Sequence, residues 1–221
     1  MFIDLAETEH SWRAMYRLYL TFVQPRPIAL VSTVSATGVA NLAPFSCYTL
    51  ISSNPPVVVF CPAIGRDGRP KDTLANIRAT GEFVIATVTE GIAERMNICS
   101  TEFPAEVSEF EVSGLTPGKG RKTRPNLVAD SPVNIECRLR QIVSIGEGPG
   151  GGQAVFGDVL AVHVDEGVLV EGDLRCDPAK LRAVGRMGGS LYARTTDRFS
   201  LESLRDPTEF ARRGPARLEG A

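Results

Sequence analysis

The sequence has no apolar run long enough to cross a bilayer and little excess charge of either sign. A membrane-spanning helix needs about 20 apolar residues. The first ten residues, MFIDLAETEH, carry acidic side chains where a secretory signal would have an apolar centre. The net charge of −2 favours neither nucleic acid nor an anionic membrane as a partner. We therefore expect a cytoplasmic protein.

Metal-ligand and disulfide patterns are also missing. The two histidines, His10 and His163, stand far apart and outside any ligand spacing. The five cysteines are odd in number and widely spaced, with no CxxC among them. This usage is typical of reduced thiols. We expect neither a protein-held catalytic metal nor a disulfide framework.

Familiar catalytic motifs are absent or incomplete. No GxSxG occurs, so a hydrolase triad has little support. Residues 146–151, GEGPGG, satisfy GxGxxG literally, but Pro149 interrupts them and a strand pattern follows where the dinucleotide fingerprint needs a helix. A flexible hairpin loop is predicted there. The basic segment 118–124 lacks the spacing of a phosphate loop, so it is predicted to be a solvated loop, with phosphate or acceptor contact less favoured.

What the chain does contain is a series of short apolar segments separated by turn residues. In these segments β-branched residues are frequent, or apolar and polar residues alternate. Strands are predicted at 27–35, 57–61, 83–88, 134–145 and 154–164. They follow one another like hairpins with short helices between them. The pattern predicts a mainly β fold with inserted helices, a Greek-key-like antiparallel barrel that is closed or nearly closed.

The helices are predicted to be short, and the chain shows no internal boundary. One helix is expected over 12–20, and another is expected to start with Asp72 or Thr73 as its cap and to end at Gly81. We expect a single domain over residues 1–198. The charged, proline-containing tail 199–221 is expected to be partly mobile.

The stretch 24–47 predicts one side of a ligand pocket. A strand, a tight turn and a second short strand would form a hairpin whose edge is rich in small residues. Asn41 to Ala43 offers backbone amides beside a planar heterocycle, with Pro44 and Phe45 shaping the wall. Hydroxyl donors are expected at Ser32, Thr33 and Ser46.

The stretch 69–76 predicts the opposite side. Lys71, Asp72 and Thr73 open a helix, so a cation, a hydroxyl and a helix N-terminus would lie together, which suits a phosphate. Asp72 adds an adverse charge, so we expect it to cap the helix and not to contact the ligand. Together the two sides predict a phosphorylated, flat and partly apolar ligand. From the residues alone, an ordinary hairpin and a well-capped helix explain both stretches equally well.

Two cysteines lie close to these stretches in the sequence. Cys61 ends the apolar strand 57–61, where a cysteine usually fills the core. Cys47 follows the turn at 44–46. We hypothesise that the Cys47 thiol faces the ligand.

Six segments in collinear order resemble the flavin reductase-like family, which has the FMN-binding split-barrel fold. The segments are RPIALVST (26–33), GVANLAPFSCY (38–48), NPPVVVFCP (54–62), KDTLANIRATGEFVI (71–85), VFGDVLAVHV (155–164) and RMGGSLYAR (186–194). The match runs from about Leu20 to Arg194. In the NLAPFS turn and RMGGSLY it is most similar to the flavoredoxin-like branch.

The resemblance implies FMN held noncovalently in a homodimer, near the subunit interface. Backbone contacts to the isoalloxazine ring are implied for Asn41, Leu42, Ala43 and Pro44. Positions around the phosphate are implied for Ser46, Lys71, Asp72 and Thr73, with Asn76 at the ribityl chain. Further neighbours are implied at Ser32, Thr33, Cys47, Cys61 and Arg186.

The resemblance also implies an NAD(P)H-dependent flavin reductase. Hydride would pass from nicotinamide to FMN and onward to free flavin, a partner monooxygenase or another acceptor, so no catalytic side chain is required. Two alternatives stay open: a flavoredoxin-like electron carrier with a protein donor, and a non-catalytic flavin-binding module. NADH and NADPH both stay open as donors, because Arg121, Arg124 and Arg194 could each meet a 2′-phosphate.

One departure from the family concerns a histidine. Many members carry it just before the strand that corresponds to 154–164, but here Gln153 occupies about that place. The nearest histidine, His163, stands at the other end of the strand. A nicotinamide-positioning histidine is therefore not expected at that place.

Overall fold

Seven antiparallel strands make up the main sheet of the computed structural model, in which residues 1–201 are described. Its strands are β1 (Ala29–Val34), β2 (Ala40–Phe45), β3 (Tyr48–Ser53), β4 (Pro56–Phe60), β5 (Glu82–Thr87), β8 (Val133–Ser144) and β9 (Gln153–Val164). Two small pairs are β6 (Pro117–Gly118) with β7 (Leu127–Val128), and β10 (Val184–Arg186) with β11 (Tyr192–Arg194). The helices are α1 (Trp12–Phe22), α2 (Asp72–Thr80), α3 (Ala93–Ile98), α4 (Glu109–Ser113) and α5 (Pro178–Leu181).

The strand order explains how the sheet curls. It runs β2-β1-β5-β8-β9-β4-β3, so β2 and β3 are the two edges. In the chain these edge strands are joined by Ser46 and Cys47 alone. The edges must therefore meet at that corner, although β2 and β3 form no ladder with each other within residues 1–201. The predicted mainly β fold with inserted helices is confirmed, and the barrel is of the split kind, because hydrogen bonding stops at the two edges.

Apolar residues fill both faces of the sheet centre. Val31 of β1 belongs to one buried cluster, and its neighbour Leu30 belongs to the cluster on the other face. In the first cluster the ring centroids of Phe45 and Phe60 lie 5.3 Å apart, and those of Phe60 and Phe83 lie 5.4 Å apart. Burying each such side chain contributes roughly 1.5–3 kcal/mol. This packing fixes β1 and, through it, the edge strand β2.

The beginning of α2 differs from the prediction. Lys71 is its N-cap residue, and no side chain caps the helix. The expected cap at Asp72 or Thr73 is wrong, because Asp72 is already helical and the Thr73 hydroxyl donates to Asn41 Oδ1 at 3.0 Å. The predicted end is confirmed, since Gly81 takes the left-handed conformation (φ 71°) that favours glycine.

Other features outside the core follow the predictions in part. The segment 146–151 is the hairpin loop between β8 and β9, as expected. The basic segment 118–124 is a loop except that Gly118 belongs to β6. Among residues 1–201, no helix combines the length and the apolarity of a membrane span. Most of the tail predicted at 199–221 lies outside the described residues.

Candidate functional site

A cavity of about 650 Å³ lies between β2, the loop before α2, the N-terminus of α2 and the segment that leads to α4. This volume is within the range of small-molecule sites, roughly 300–1,000 Å³. Predicted site residues on its wall are Asn41, Ala43, Pro44, Ser46, Cys47, Cys61, Lys71, Asp72 and Thr73. The two stretches singled out in the sequence therefore face one cavity.

Small and hydroxyl-bearing residues of β2 and the corner after it form one wall. Ala43 pairs with Val31 of β1, so its backbone is anchored by the sheet. Because β2 is an edge strand, its other row of backbone groups is not used by the sheet. Pro44 has no N–H group to donate to a second neighbouring strand, and an edge strand tolerates this because it has no such neighbour. Ser46 Oγ accepts a hydrogen bond from Arg26 Nε at 3.4 Å.

The N-terminus of α2 forms the opposite wall. The Lys71 carbonyl accepts from the N–H groups of Leu74 and Ala75, at 2.9 and 3.0 Å. The earlier N–H groups of the helix have no side-chain cap, so the positive end of the helix dipole faces the cavity. Lys71 Nζ lies 3.4 Å from a Glu102 carboxylate oxygen, and the Lys71 side chain is partly exposed whereas that of Glu102 is largely exposed. An exposed ion pair of this length is weak, so the ammonium group is free to turn toward an anion.

Asn41 connects the two walls. Its Oδ1 accepts from the hydroxyls of Thr33 and Thr73, at 3.1 and 3.0 Å. Its Nδ2 donates to both carboxylate oxygens of Glu109 at 3.0 Å. Asn76 Nδ2 in turn donates to the Thr33 hydroxyl at 3.1 Å. Thr33 and Asn76 thus lie outside the cavity wall and hold Asn41 in place.

Glu109 is a site residue that the sequence did not indicate. It is 6% exposed, lines the cavity from α4 and accepts from the Leu42 N–H at 2.8 Å. Burial raises the pKa of the Glu109 carboxyl, the charge of Asp72 acts in the same direction, and hydrogen bonds from Leu42 and Asn41 oppose the change. No local pattern marks a buried acid in so short a helix. The Leu42 side chain itself lies in the core.

Two further predicted residues lie away from the cavity wall. Ser32 is fully buried in β1, and its hydroxyl has no hydrogen-bond partner in the described part of the chain. Arg186 donates to the carbonyl of Gly189, and its guanidinium lies 4.5 Å from the centre of the Tyr192 ring. Along with Thr33, Leu42 and Asn76, they are the predicted residues that do not line the cavity.

Several residues line the cavity without having been predicted to do so. Tyr16 reaches it from α1, and burial raises the pKa of its phenol. Arg66 and Arg69 approach from the loop that leads into α2. Their position directly before Lys71 was a usable signal, since a basic loop at a helix N-terminus adds cations to an anion site.

Gln153 has a structural role. It is 1% exposed, and its Nε2 donates to Ser144 Oγ at 2.9 Å and to the Gly146 carbonyl at 2.8 Å. Its Oε1 accepts from Arg78 Nη2 at 3.1 Å. The amide therefore ties the hairpin loop to α2 and does not line the cavity.

His163 belongs to a different cluster, beside a smaller cavity of about 340 Å³. Its Nε2 lies 2.6 Å from Glu136 Oε1. The fully buried Glu136 also accepts from the backbone N–H groups of Arg121, Lys122 and Thr123, at 2.7 to 2.9 Å. Burial alone would raise the pKa of Glu136, but these hydrogen bonds lower it to about 2. The amides of the basic loop thus bind an internal carboxylate.

The seven-stranded open sheet, with a cavity at its β2 edge, has the split-barrel fold of flavin reductase-like proteins. The chain belongs to the family described as flavin reductase like domain, whose pattern matches residues 23–179. The fold class and the family expected from the sequence are confirmed.

Solved structures of similar proteins agree with this assignment. The chain is 32% identical to the 2-nitrobenzoate 2-nitroreductase NbaA of Pseudomonas fluorescens, with 93% of this chain and 97% of that chain covered and a TM-score of 0.82. It is 28% identical to nitrilotriacetate monooxygenase component B of Bacillus cereus, with 91% and 99% covered and a TM-score of 0.84. The flavoredoxin of Desulfovibrio vulgaris (Miyazaki F) shares the fold at 20% identity, with 91% and 97% covered and a TM-score of 0.67.

Proposed function

We propose that this protein is an FMN-binding oxidoreductase of the NAD(P)H:flavin reductase type. The observation that carries the proposal is one cavity that places the uncapped N-terminus of α2 and Lys71 opposite the small residues of β2, which suits a phosphate on one side and a flat ring on the other. Membership of the flavin reductase like domain family supports flavin as the ligand. The reductase activity, the electron donor and the electron acceptor each require a direct experiment.

The chemistry of the donor set fits a flavin mononucleotide. The uncapped N–H groups of α2 and the Lys71 ammonium suit a phosphate dianion. Ala43 and Pro44 present a wall without bulk or charge, as a flat heterocycle requires. Ser46 adds a hydroxyl at the corner between the two edge strands. These residues would hold the cofactor, while Thr33 and Asn76 act through Asn41.

Bound FMN would supply hydride acceptance from a nicotinamide and electron transfer to a second acceptor. The chain's own residues bind and orient. The amide oxygen of Asn41 on β2 accepts from Thr73 of α2 and from Thr33 of β1, which holds α2 against the sheet edge. The buried Glu109 keeps that amide and the Leu42 N–H in one orientation. No acid, base or nucleophile of the protein is needed for this chemistry.

An anaerobic reduction experiment tests the activity. The purified protein is loaded with FMN, and NADH or NADPH is mixed in a stopped-flow instrument while flavin absorbance is followed. A reductase bleaches the flavin rapidly with at least one of the two donors. If neither donor reduces the bound flavin, the reductase proposal fails, and if the protein takes up no FMN, the cofactor proposal fails as well.

The same experiment separates the other classes. A flavoredoxin-like carrier would retain FMN through dialysis and be reduced slowly by free pyridine nucleotides, yet quickly by a reduced electron-transfer protein. A non-catalytic module would bind FMN and turn over no acceptor, including ferric chelates, free flavin and dioxygen. For the reductase, the acceptors to compare are free flavin, a partner monooxygenase and a nitroaromatic compound, because similar structures are described as a monooxygenase component and a nitroreductase.

We further propose that the working form is a homodimer with the cavity near the subunit interface. The edge strand β3 exposes Leu50 (59%) and Ile51 (48%). An exposed apolar edge strand is usually covered in the native state. The corner that joins β3 to β2 forms part of the cavity wall, so a subunit seated on β3 would lie beside the ligand.

A further inference from the structure

Two cysteines lie opposite each other at the wall of the cavity. Strands β3 and β4 are antiparallel, with Tyr48 opposite Phe60. One step further along, the Cys61 N–H donates to the Cys47 carbonyl at 2.9 Å, so the pairing continues past the ends of both strands. Both cysteines line the cavity, and neither is in a disulfide.

Their placement suits a covalent link. Residues that face each other in an antiparallel pair project their side chains to the same side of the sheet. At a hydrogen-bonded position the Cα atoms are about 5.5 Å apart, within the roughly 4.4–6.8 Å of a disulfide. The facing Cβ atoms of such a pair, about 4.5–5.5 Å apart, lie at or beyond the roughly 3.5–4.5 Å that the bond requires, so a disulfide here draws the two segments together and is readily reduced. On its other side the Cys61 thiol meets the backbone of Gly152, where an added Cβ would come within 3.1 Å of the sulfur. The Cys61 thiol therefore has little space to move away from Cys47.

The two thiols are unequal in access. Cys47 is exposed, whereas Cys61 is partly buried. Burial raises the pKa of the Cys61 thiol, and a charge on Cys47 would raise it further, which is consistent with their closeness. Cys47 is therefore the better placed of the two to attack, and Cys61 to resolve.

We propose that Cys47 and Cys61 form a redox-active thiol pair that low-molecular-weight disulfides oxidise to an intramolecular disulfide in the cavity wall. The Cys47 thiolate attacks one sulfur of the small disulfide, a mixed disulfide forms, and one small thiolate leaves. The Cys61 thiolate then attacks the Cys47 sulfur and expels the second thiolate. Two protein thiols are oxidised, one small disulfide is reduced to two thiols, and no flavin takes part, so the proposal stands apart from the proposed function.

The chain allows a direct test by mass spectrometry. Both cysteines fall in one tryptic peptide, residues 18–66, which contains no other cysteine. Trypsin does not cut it after Arg26, because a proline follows. The folded protein is treated with oxidised glutathione, its remaining thiols are alkylated, and the digest is analysed without reduction. The expected peptide carries no alkyl group and no glutathione and has a mass two hydrogens lower, and dithiothreitol restores two alkylatable thiols.

Variants separate the pair from isolated thiols. C61S is expected to stop at a glutathione adduct on Cys47, and C176S, which changes a partly buried cysteine of another segment, is expected to behave like the wild type. The proposal is overturned if wild-type protein keeps both thiols, stops at an adduct, or forms its disulfide between two chains. It is also overturned if C61S gains no adduct, because Cys47 would then not be the attacking thiol.

Discussion

At the scale of single residues, the charge of Lys71 has to be separated from the hydroxyl of Thr73. Both were predicted around a phosphate, and both line the cavity. The Thr73 hydroxyl, however, is committed to Asn41 at 3.0 Å and is buried. Replacing Thr73 would therefore disturb the connection between the two walls, whereas replacing Lys71 removes a cation and the weak pair with Glu102.

We predict that Lys71→Ala weakens FMN binding about tenfold and leaves riboflavin binding within about twofold. A charge-assisted hydrogen bond contributes about 1.5–3 kcal/mol, and a partly exposed lysine should lie at the lower end of that range. Riboflavin lacks the phosphate, so it reports on the ring half alone. Titration by flavin fluorescence measures both affinities, with Lys119→Ala of the exposed basic loop as the matched control. An equal loss for both flavins would place Lys71 elsewhere than at the phosphate.

The charge of Glu136 links the stability of the fold to pH. Burial would raise its pKa, but the hydrogen bonds from His163 and three backbone amides lower it from 4.5 to about 2. In the unfolded chain the ordinary value applies. The carboxylate therefore contributes stability above about pH 4.5, and this contribution is lost as the pH falls toward 2.

We predict that Glu136→Gln removes most of this acid-sensitive component. At neutral pH the variant should lose about 3 kcal/mol of the free energy of unfolding, from a shift of this size at 1.36 kcal/mol per unit. Toward pH 2 the two proteins should converge. Urea unfolding between pH 7 and 2 measures the difference, and Glu147→Gln in the exposed hairpin loop is the control. A constant difference at every pH would contradict the proposed linkage.

At the scale of elements, the long hairpin of β8 and β9 makes one close approach to the core at Gly157. Gly157 of β9 lies opposite Val58 of β4 and Leu139 of β8. A Cβ built there would be 2.3 Å from Cζ of the fully buried Phe83. The ring of Phe83 therefore uses the space that a side chain at this position would need.

We predict that Gly157→Ala destabilises the protein by about 1–3 kcal/mol, the usual cost of overpacking a core. Gly91→Ala is the matched control, because an added Cβ there meets nothing closer than 3.8 Å. Thermal unfolding of the two variants gives the comparison. A shift in the melting temperature of G157A no larger than that of G91A would show that the sheet can relax around Phe83.

The elements themselves were largely predictable, and their mutual contacts were not. Alternation at 134–145 and 154–164 placed β8 and β9 within one residue of their observed ends. Such patterns depend on neighbours two to four positions away. The bond from Asn41 to Glu109 spans 68 residues, and the one from Glu136 to Lys122 spans 14, so neither leaves a local periodic pattern. The wrong prediction of a capping side chain at the start of α2 has the same origin, because the Thr73 hydroxyl is bonded to Asn41, 32 residues away.

At the scale of the whole molecule, the site arises where α2 packs against the sheet. The stretches 24–47 and 69–76 were expected to share a pocket, and they face one cavity because α2 packs Leu74 and Ile77 against the buried cluster that includes Val31. Arg66, Arg69 and Glu109 complete the wall from segments in which the sequence predicted no site residue. The resemblance gave the order of the segments, whereas the exclusion of Ser32 and Arg186 from the wall required coordinates.

The edge strands decide the state of assembly that we expect. Wild-type protein should run in size-exclusion chromatography with light scattering at twice the chain mass of 23.8 kDa. Leu50→Lys places a charge on the exposed apolar edge β3, so it should shift the protein toward the monomer. Leu174→Lys is the control, since Leu174 is 95% exposed outside the main sheet. A wild-type monomer would contradict the homodimer, and an intact L50K dimer would move the interface away from β3. If L50K becomes monomeric and also loses FMN while L174K keeps it, the cavity depends on the second subunit.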